Sequence, residues 1–483
     1  MNAYTMWKDK IVFIDGWFVY MDGKGNNSII SHNRARMIEA YYKEYQIRMN
    51  IDKGAICGDY DSVMKSCDFV KEGHEYVLKE HTVDKLIVGK VNEIPNVLVI
   101  PKNIGNVKIN RVSKEAFKGE TAIEKVIFHN EIKLIESSAF EGCEKLREIE
   151  VPENHIQIQR NAFKDTMIPS KEVSYVNNVL VKVEPSYKGV LKVKEGTLAI
   201  AGEALKGCTK ITRVELPESV ETIGEYAFYG CTNLVEIKLP RTMKKIEWYA
   251  FANCEALNSI VLPEGISTIY RRMFYKCKNL FKINIPKSVK EIHFDAFEES
   301  GLFTTYENSC DTELYIDEWL IHYKADMITN LSVKIGTVGI ADMQGGEPKK
   351  IKSVELPDSL KYIGADVFEG ALINSVRLPS NLISIGRSAF HGAHLEKICI
   401  PRSVKKIEMW AFTDCNNISK IIFIGNKTEV NSVAITGRRD KKSVVIIAPE
   451  NSTVNEYCTE YGESYNLVFK PFVRGAIKKI LIR

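Results

Sequence analysis

An aromatic residue, usually preceded by alanine, recurs along this chain at an almost constant interval, and this repeat constrains the fold more than any other feature. Neighbouring anchors are 23 residues apart in the first two groups and 22 apart in the last group. A unit of this length cannot bury its own apolar face, so we predict a stack of units that share one core. The anchors are Phe117, Phe140, Phe163, Phe228, Phe251, Phe274, Phe297, Phe368, Phe390 and Phe412, and Leu205 holds the equivalent place before Phe228.

The segment LVEIKLPRTMKKIEWYAFANCEA shows the role of each position in the unit. Ile237 and Leu239 alternate with polar Glu236 and Lys238, as in a short strand with one buried face. Pro240 ends that strand because it has no N–H to donate. Stacked units would place such strands about 4.8 Å apart in a parallel sheet.

Cysteine recurs three residues after many of the anchors, which predicts a column of small buried side chains instead of a metal site. The chain has 11 cysteines, an odd number, and no CxxC pair, so a disulfide framework is not expected and a reducing compartment is favoured. The cysteines of the column are Cys143, Cys208, Cys231, Cys254, Cys277 and Cys415.

The stretches LPESVETIGEYAFYGC (216–231) and LPSNLISIGRSAFHG (378–392) resemble the BspA-type leucine-rich repeat family. The resemblance covers roughly residues 75–470. It implies an α/β-type repeat solenoid, a leucine-rich repeat fold with short parallel strands, insert hairpins and terminal caps. It also implies protein–protein interaction, often adhesion or host contact at a cell surface.

The repeat pattern divides the chain into three regions. Residues 1–74 are a non-repeat segment that forms a cap or a small module. Residues 75–440 are the solenoid, with inserts near 164–204 and 298–345. Residues 441–483 are a C-terminal cap followed by a basic tail.

Each insert is predicted to form strand, turn and strand before a degenerate repeat, and so to project a hairpin without breaking the stack. Met343 is expected to replace the aromatic anchor in the second insert. FIDGWFVYMDGKG near the N-terminus resembles the inserts and predicts a third hairpin of this kind. Residues 34–49 have the periodicity of a helix. Ser452 is the expected N-cap of a helix in the closing cap.

The sequence contains no motif that predicts catalysis or a cofactor. It has no P-loop, GxSxG or HExxH pattern, so we expect no enzyme activity, no cofactor and no metal site. His391 and His394, in HGAH, lack a third ligand at readable spacing and are interpreted as loop residues. Asp59 and Asp61 are interpreted as part of an ordinary turn.

Charge and hydropathy exclude further classes of function. The chain carries 66 Lys and Arg against 62 Asp and Glu, which is too even for a nucleic-acid coat. No run of about 18 apolar residues predicts a membrane span. Because no signal peptide is recognised at the N-terminus, the expected location is cytoplasmic, with the cell surface or secretion as the alternative.

Aromatic and arginine residues around the anchors are the best candidates for a binding surface, because such residues are enriched at interaction hot spots. The alternative is that these rings only pack against adjacent turns. The basic tail 470–483 is a second candidate, for weak docking to a partner or a membrane, or else a packed or frayed end. The candidate partner-binding residues are Tyr226, Trp248, Tyr249, Tyr270, Arg271, Arg272, Tyr275 and, in the second insert, Trp319.

These observations predict a non-catalytic protein–protein interaction scaffold that uses a leucine-rich repeat surface. One alternative is a cell-surface or secreted adhesin, exported without a recognisable signal. Another is an effector module in residues 1–74 that the repeats direct to its target.

Overall fold

The structure is a computed structural model. It describes residues 96–100, 102–104, 107–151, 156–168, 172–345, 350–436 and 442–472, and the backbone of five strands nearer the N-terminus. The helix predicted over 34–49 and the tail beyond residue 472 lie outside the described residues.

The described chain divides into two compact units, Met1–Thr232 and Asn233–Arg483. The strands of the first are Lys10–Ile14, Trp17–Met21, Asn27–Ile29, Phe69–Glu72, Glu75–Leu78, Val97–Val99, Asn103–Ile104, Val107–Lys108, Arg111–Val112, Lys125–Ile127, Leu134–Ile135, Glu148–Glu150, Gln157–Ile158, Val173–Val176, Val179–Val183, Gly189–Lys192, Ala199–Ile200, Ile211–Glu215 and Thr222–Ile223.

The second unit adds two helices, Gly301–Glu307 and Thr453–Tyr465. Its strands are Glu236–Lys238, Lys245–Ile246, Ser259–Ile260, Thr268–Ile269, Lys282–Ile283, Glu291–Ile292, Glu313–Ile316, Trp319–Tyr323, Asn330–Ser332, Gly339–Ile340, Ser353–Glu355, Tyr362–Ile363, Ser384–Ile385, Lys397–Ile400, Lys406–Ile407, Lys420–Phe423, Glu429–Val430, Val444–Ala448 and Leu467–Pro471.

Strands one repeat apart pair in parallel, which confirms the predicted solenoid. A repeat supplies two strands that belong to different ladders. Val126 faces Ile149 on one ladder, and Ile135 faces Ile158 on the other. All four side chains except the half-buried Ile149 are buried, so each ladder turns a line of aliphatic side chains into the core.

The anchor forms a third connection between repeats. The N–H of Phe140 donates to the carbonyl of Ala162 in the next repeat at 2.7 Å. The N–H groups two places before and two places after this anchor, those of Ser138 and Gly142, also donate to the next repeat, at 3.1 and 2.8 Å. Backbone groups that turn around the buried anchor are thereby satisfied by the neighbouring unit.

This arrangement requires a left-handed backbone on both sides of the anchor. Such a conformation costs an ordinary residue roughly 1–2 kcal/mol, and glycine avoids that cost. The glycine that precedes Cys143, Cys208 and Cys231 is therefore favoured by the backbone conformation. Positive φ occurs two places before the anchor at Glu115, Ser138, Asn161, Glu203, Tyr226, Tyr249, Arg272, Asp366, Ser388 and Trp410, and two places after it at Gly119, Gly142, Asp165, Gly207, Gly230, Asn253, Lys276, Glu299, Gly370, Gly392 and Asp414.

The anchor rings stack on one another in the core. The ring centroids of Phe251 and Phe274 are 5.8 Å apart with nearly parallel planes, and those of Phe390 and Phe412 are 5.4 Å apart. Leu205 is fully buried in the same place. Phe163, the last anchor before the first insert, is only half-buried.

The cysteine column is buried and hydrogen-bonded. Cys277 donates its S–H to the carbonyl of Phe251 at 3.1 Å, and Cys415 donates to Phe390 at 3.0 Å. Each of these thiols therefore binds the anchor of the preceding repeat. Burial raises the pKa of Cys277 to about 12, which leaves little reactive thiolate at neutral pH.

Both inserts contain the predicted antiparallel hairpin, with Val176 facing Val179 in the first and Ile316 facing Trp319 in the second. In each hairpin the second strand also pairs in parallel with the following repeat, as Leu320 does with Ile340. The hairpins thus join the ladder through that strand, instead of projecting from the stack as expected.

The expectation for Met343 was wrong in its register. Met343 is buried, but its N–H donates to the carbonyl of Ala365 at 2.8 Å. In the next repeat Asp366, two places before Phe368, makes the corresponding bond to Arg387. Met343 therefore lies two places before the anchor position, which an aromatic residue does not fill in this repeat.

Both ends of the repeat region carry additional strands. Near the N-terminus Lys10–Ile14 and Trp17–Met21 form a hairpin, and Asn27–Ile29 pairs in parallel with Arg111–Val112. At the other end the helix Thr453–Tyr465 connects two parallel strands.

That helix begins where the sequence predicts. The Ser452 hydroxyl accepts a hydrogen bond from the N–H of Asn455 at 3.3 Å, as an N-cap does. Asn466 ends the helix in a left-handed conformation, with φ of 54°.

The left-handed positions can be tested at Gly207. Its φ is 73°, and a Cβ added there would meet no atom within 4 Å, so backbone conformation alone should decide the outcome. We expect Gly207→Ala to lower the free energy of unfolding by about 1 kcal/mol in urea denaturation followed by circular dichroism. Gly207→Asn should lose less, because Asn tolerates this region and Asn253 holds the same place. Equal losses for the two variants would contradict this explanation.

Candidate binding site

Three rings from consecutive repeats line up on the surface of the second unit. Trp248 lies 6.4 Å from Tyr270, and Tyr270 stacks on His293 at 5.9 Å, measured between ring centroids. Tyr270 and His293 each follow the buried isoleucine of their short strand, and Trp248 lies one place further along its repeat. Trp248 is 42% exposed, whereas the other two rings are half-buried.

The two arginines that follow Tyr270 in the sequence share one buried carboxylate. Asp295 is almost completely buried, and its Oδ2 lies 3.1 Å from Arg271 Nη2 and 3.2 Å from Arg272 Nε. Arg272 also donates to the hydroxyl of Tyr249 at 3.3 Å and lies over the ring of Tyr275 at 5.0 Å. A buried carboxylate needs its cationic partners, so this network fixes both guanidinium groups.

Two further contacts, a hydrogen bond and an ion pair, hold Tyr275 and Lys276 in this network. The Tyr275 hydroxyl donates to Glu299 at 2.8 Å, and Lys276 lies 3.7 Å from the same carboxylate. Together Trp248, Tyr249, Tyr270, Arg271, Arg272 and Tyr275 form what we call the aromatic–arginine patch, and all six were candidates from the sequence.

The seventh candidate, Tyr226, belongs to the first unit. Its ring packs edge-on against Tyr229 at 5.5 Å. Arg160 and Lys206 each approach the Tyr226 ring to 5.7 Å. This half-buried tyrosine thus has a cation–π environment of its own.

The structure places Trp319 in the interior of the second insert, not on a binding surface. Only 3% of the residue is exposed. Its ring stacks on Tyr362 at 6.0 Å and covers Gly339, where a Cβ would lie 2.4 Å from the indole. Tyr362 and Gly339 cover the ring, so the prediction that Trp319 binds a partner was wrong.

A groove of about 720 Å³ crosses the repeats around the second insert. Charges of both signs line it, among them Arg271, Arg387, Asp342 and Asp366. The backbone explains its position. Ala341 donates to Leu320 of the hairpin, and the next residue, Asp342, donates to Ile292 of the repeat before the insert, at 2.8 Å.

This return step brings Asp342 beside two residues of the repeat before the insert. Asp342 Oδ2 lies 3.4 Å from His293 Nδ1, and His293 Nε2 lies 3.9 Å from Glu291 Oε1. The other oxygen of Asp342 accepts the N–H of Ala365 at 2.7 Å. Burial raises the pKa of Asp342 to about 7, and burial lowers the pKa of His293.

The comparisons with known proteins agree with this repeat geometry. The BspA type leucine rich repeat region matches residues 102–181, 194–317 and 347–466, in six copies. The chain belongs to the BspA-type leucine-rich repeat family. No curated protein matches the chain.

Several solved structures are similar to this BspA-type protein. A leucine rich repeat protein of T. pallidum is 25% identical over 40% of this chain and 71% of its own, with a TM-score of 0.20. A leucine-rich repeat protein of Bacteroides ovatus is 20% identical over 84% and 97%, with a TM-score of 0.26. A leucine rich cell surface protein of Faecalibacterium prausnitzii is 18% identical over 89% and 98%, with a TM-score of 0.24.

Sequence reasoning on this BspA-type chain missed two features. Trp410 is 41% exposed, yet it lies in an ordinary repeat and was not singled out. The group Glu291, His293 and Asp342 was also missed, because a long insert separates its members and removes any spacing signal.

Within the part of the chain that the structure describes, His391 and His394 of HGAH are not part of a group of three metal-ligating side chains whose donor atoms lie within 4.8 Å of one another. His391 lies between two carboxylates, Glu369 at 3.3 Å and Asp414 at 3.7 Å, which its two ring nitrogens approach separately. His394 is exposed. Among the described residues, no helix is long and apolar enough to cross a membrane.

Proposed function

We propose that this BspA-type repeat protein is a non-catalytic scaffold that binds a protein partner through the aromatic–arginine patch. One observation carries the proposal: Trp248 and Arg271 are exposed, while the buried carboxylate of Asp295 holds the arginine pair in place. Membership in a repeat family whose members are typically scaffolds supports the non-catalytic role.

The patch has the physical properties of an interaction hot spot. Trp and Arg are the residues most enriched at such sites, and well-packed central positions supply most of the binding energy. Association costs less entropy when side chains are already ordered in the free protein. The ion pairs around Arg271 and Arg272 provide that order before a partner arrives.

The patch also indicates the chemistry of the partner. Trp248 offers apolar ring surface, and the guanidinium of Arg271 is nearly half-exposed beside it. A matching surface would present an apolar side chain next to a carboxylate, since arginine pairs with carboxylates in two-pronged geometry. We therefore expect an acidic, partly apolar protein surface as the ligand.

Matched tryptophans provide the test. Trp248→Ala should reduce capture of a specific partner from native lysate at least tenfold, as quantified by mass spectrometry, because truncating a hot-spot tryptophan removes 2 kcal/mol or more. Trp410→Ala should leave capture unchanged, since this tryptophan is equally exposed but lies outside the patch. Circular dichroism must show both variants folded. If the partners captured by wild type and Trp248→Ala are the same, the patch is not the binding surface.

The cytoplasm and the cell surface are the two candidate locations of this scaffold. We propose the cytoplasmic form, because the column cysteines are buried as reduced thiols that donate hydrogen bonds, as Cys231 does to Leu205 at 3.2 Å. The adhesin alternative, which the family allows, places the same surface outside the cell. Fractionation of the native host should recover the chain with the cytosol. Recovery at the cell surface or in the medium would replace the cytoplasmic form with the adhesin.

We propose that residues 1–74 are a cap of the repeat stack, not an independent effector module. The strand Asn27–Ile29 supports this proposal, because it pairs in parallel with Arg111–Val112. A first repeat without such a partner would leave a row of unpaired backbone groups at the edge of the sheet.

Fragments test the cap. We expect residues 1–74 alone to show no cooperative thermal unfolding by circular dichroism, whereas residues 1–163 should unfold cooperatively. A cooperative transition and dispersed amide resonances for the shorter fragment would instead support the effector module.

A further inference from the structure

We propose that Glu291, His293 and Asp342 form a binding site for a divalent transition-metal ion of the zinc class, which bridges the repeats on either side of the second insert. Among the residues that the structure describes, this is the group whose imidazole and carboxylate donor atoms all lie within 4.8 Å of one another. The inference does not depend on the proposed protein-binding function.

The distances suit a single ion. In tetrahedral zinc sites the metal lies about 2.0–2.2 Å from nitrogen and oxygen donors, so the donors are about 3.4 Å apart. His293 Nδ1 is already 3.4 Å from Asp342 Oδ2. Glu291 is exposed at the edge of the groove, so its carboxylate can turn from Nε2 toward the ion held by the other two ligands.

The two inner ligands are oriented by their surroundings. Asp342 uses one oxygen to accept the N–H of Ala365, which leaves the other oxygen directed at His293. The imidazole of His293 stacks on Tyr270, with 19° between the ring planes. Contacts of this kind fix ligand orientation in metal sites.

The first insert provides a comparison, because its chain returns to the stack in the same way but has a different residue at that point. There the chain makes the same return step, with Ala201 bonded to the hairpin and the next residue, Gly202, bonded to Ile158. A Cβ on Gly202 would lie 2.7 Å from the backbone of Arg160. The second insert instead carries an aspartate at this step and has room for its carboxylate.

Charge balance favours a dication at this point. The Asp342 carboxylate is buried, and Glu291 and Asp366 both carry the same sign of charge nearby. Two arginines of the groove have carboxylate partners of their own, since Arg387 pairs with Asp366 at 3.1 Å and Arg271 with Asp295. A bound dication would offset the cost of burying the Asp342 carboxylate.

The coordination shell also remains open. Glu291, His293 and Asp342 all line the groove, and three protein ligands would leave a fourth position for water or an additional ligand, as in open zinc sites. Because Glu291 and His293 precede the insert and Asp342 follows it, the ion would tie the two repeats together.

The test uses the full chain without a histidine tag, treated with EDTA and then dialysed against buffer. Titration with zinc chloride by calorimetry should reveal a site in the wild type that is lost in His293→Gln. Zinc should also raise the Tm of the wild type by a few degrees, and not that of His293→Gln, because a ligand of the folded state stabilises it.

Two further variants make the result specific. Asp342→Gly reproduces the residue at the same step of the first insert, and it should fold and lose the site. His391→Gln removes a histidine that also lies between two carboxylates but does not belong to the group whose donor atoms lie within 4.8 Å of one another. This variant should keep the site.

Cobalt provides an independent readout, because a tetrahedral cobalt site absorbs visible light. We expect such a band for wild type and His391→Gln and its absence for His293→Gln and Asp342→Gly. The proposal is overturned if zinc stoichiometry and Tm shift are the same in wild type and His293→Gln, or if His391→Gln loses the site as well.

Discussion

Backbone hydrogen bonds around the anchor hold neighbouring repeats together and determine which residues each repeat can use. Three N–H groups, at the anchor and two places to either side, donate to the next unit. Two of the three belong to residues with left-handed backbone, as Ser138 and Gly142 show, so the neighbouring unit stabilises the turn by accepting these bonds. The anchor ring of Phe140 and the thiol of Cys143, which belong to the same turn, are both fully buried.

Some candidate binding residues lie on the hydrogen-bonded turn around the anchor. Tyr249 and Arg272 stand two places before their anchors, where the backbone is left-handed and the side chain is only partly buried. Non-glycine residues in that conformation are expected where the surrounding structure over-determines them, and they are often found at functional sites. The same column carries Trp410 further along the stack. A position constrained by the fold thus offers a surface that can vary from repeat to repeat.

The repetitive part of the structure was predictable because every repeat solves the same packing problem. The period of the repeat predicts the core positions of Phe251 and Phe274, and the cysteine spacing predicts that of Cys277. The sequence also predicts the insert hairpins, but it predicts neither their return to the stack nor the position of Met343 in its repeat. Trp319 is buried because its ring lies over Gly339 on the neighbouring strand. The local sequence does not encode the register between these two strands, so this contact could not be predicted. The grouping of His293 with Asp342 has the same origin, since it exists only where the chain steps back to the repeat before the insert.

Four column thiols, those of Cys143, Cys231, Cys277 and Cys415, donate to the carbonyl of the preceding anchor, so their burial depends on the contact between two repeats. Cys143 is covered only while its repeat stays in contact with the one that contains Phe117, and Cys415 depends in the same way on Phe390. In a repeat protein, neighbouring units separate one junction at a time, from wherever contacts are weakest. Oxidants and electrophiles would therefore reach these thiols in an order that follows the opening of the stack. Chemical damage to a given cysteine would then mark the junction that had opened and leave the others intact.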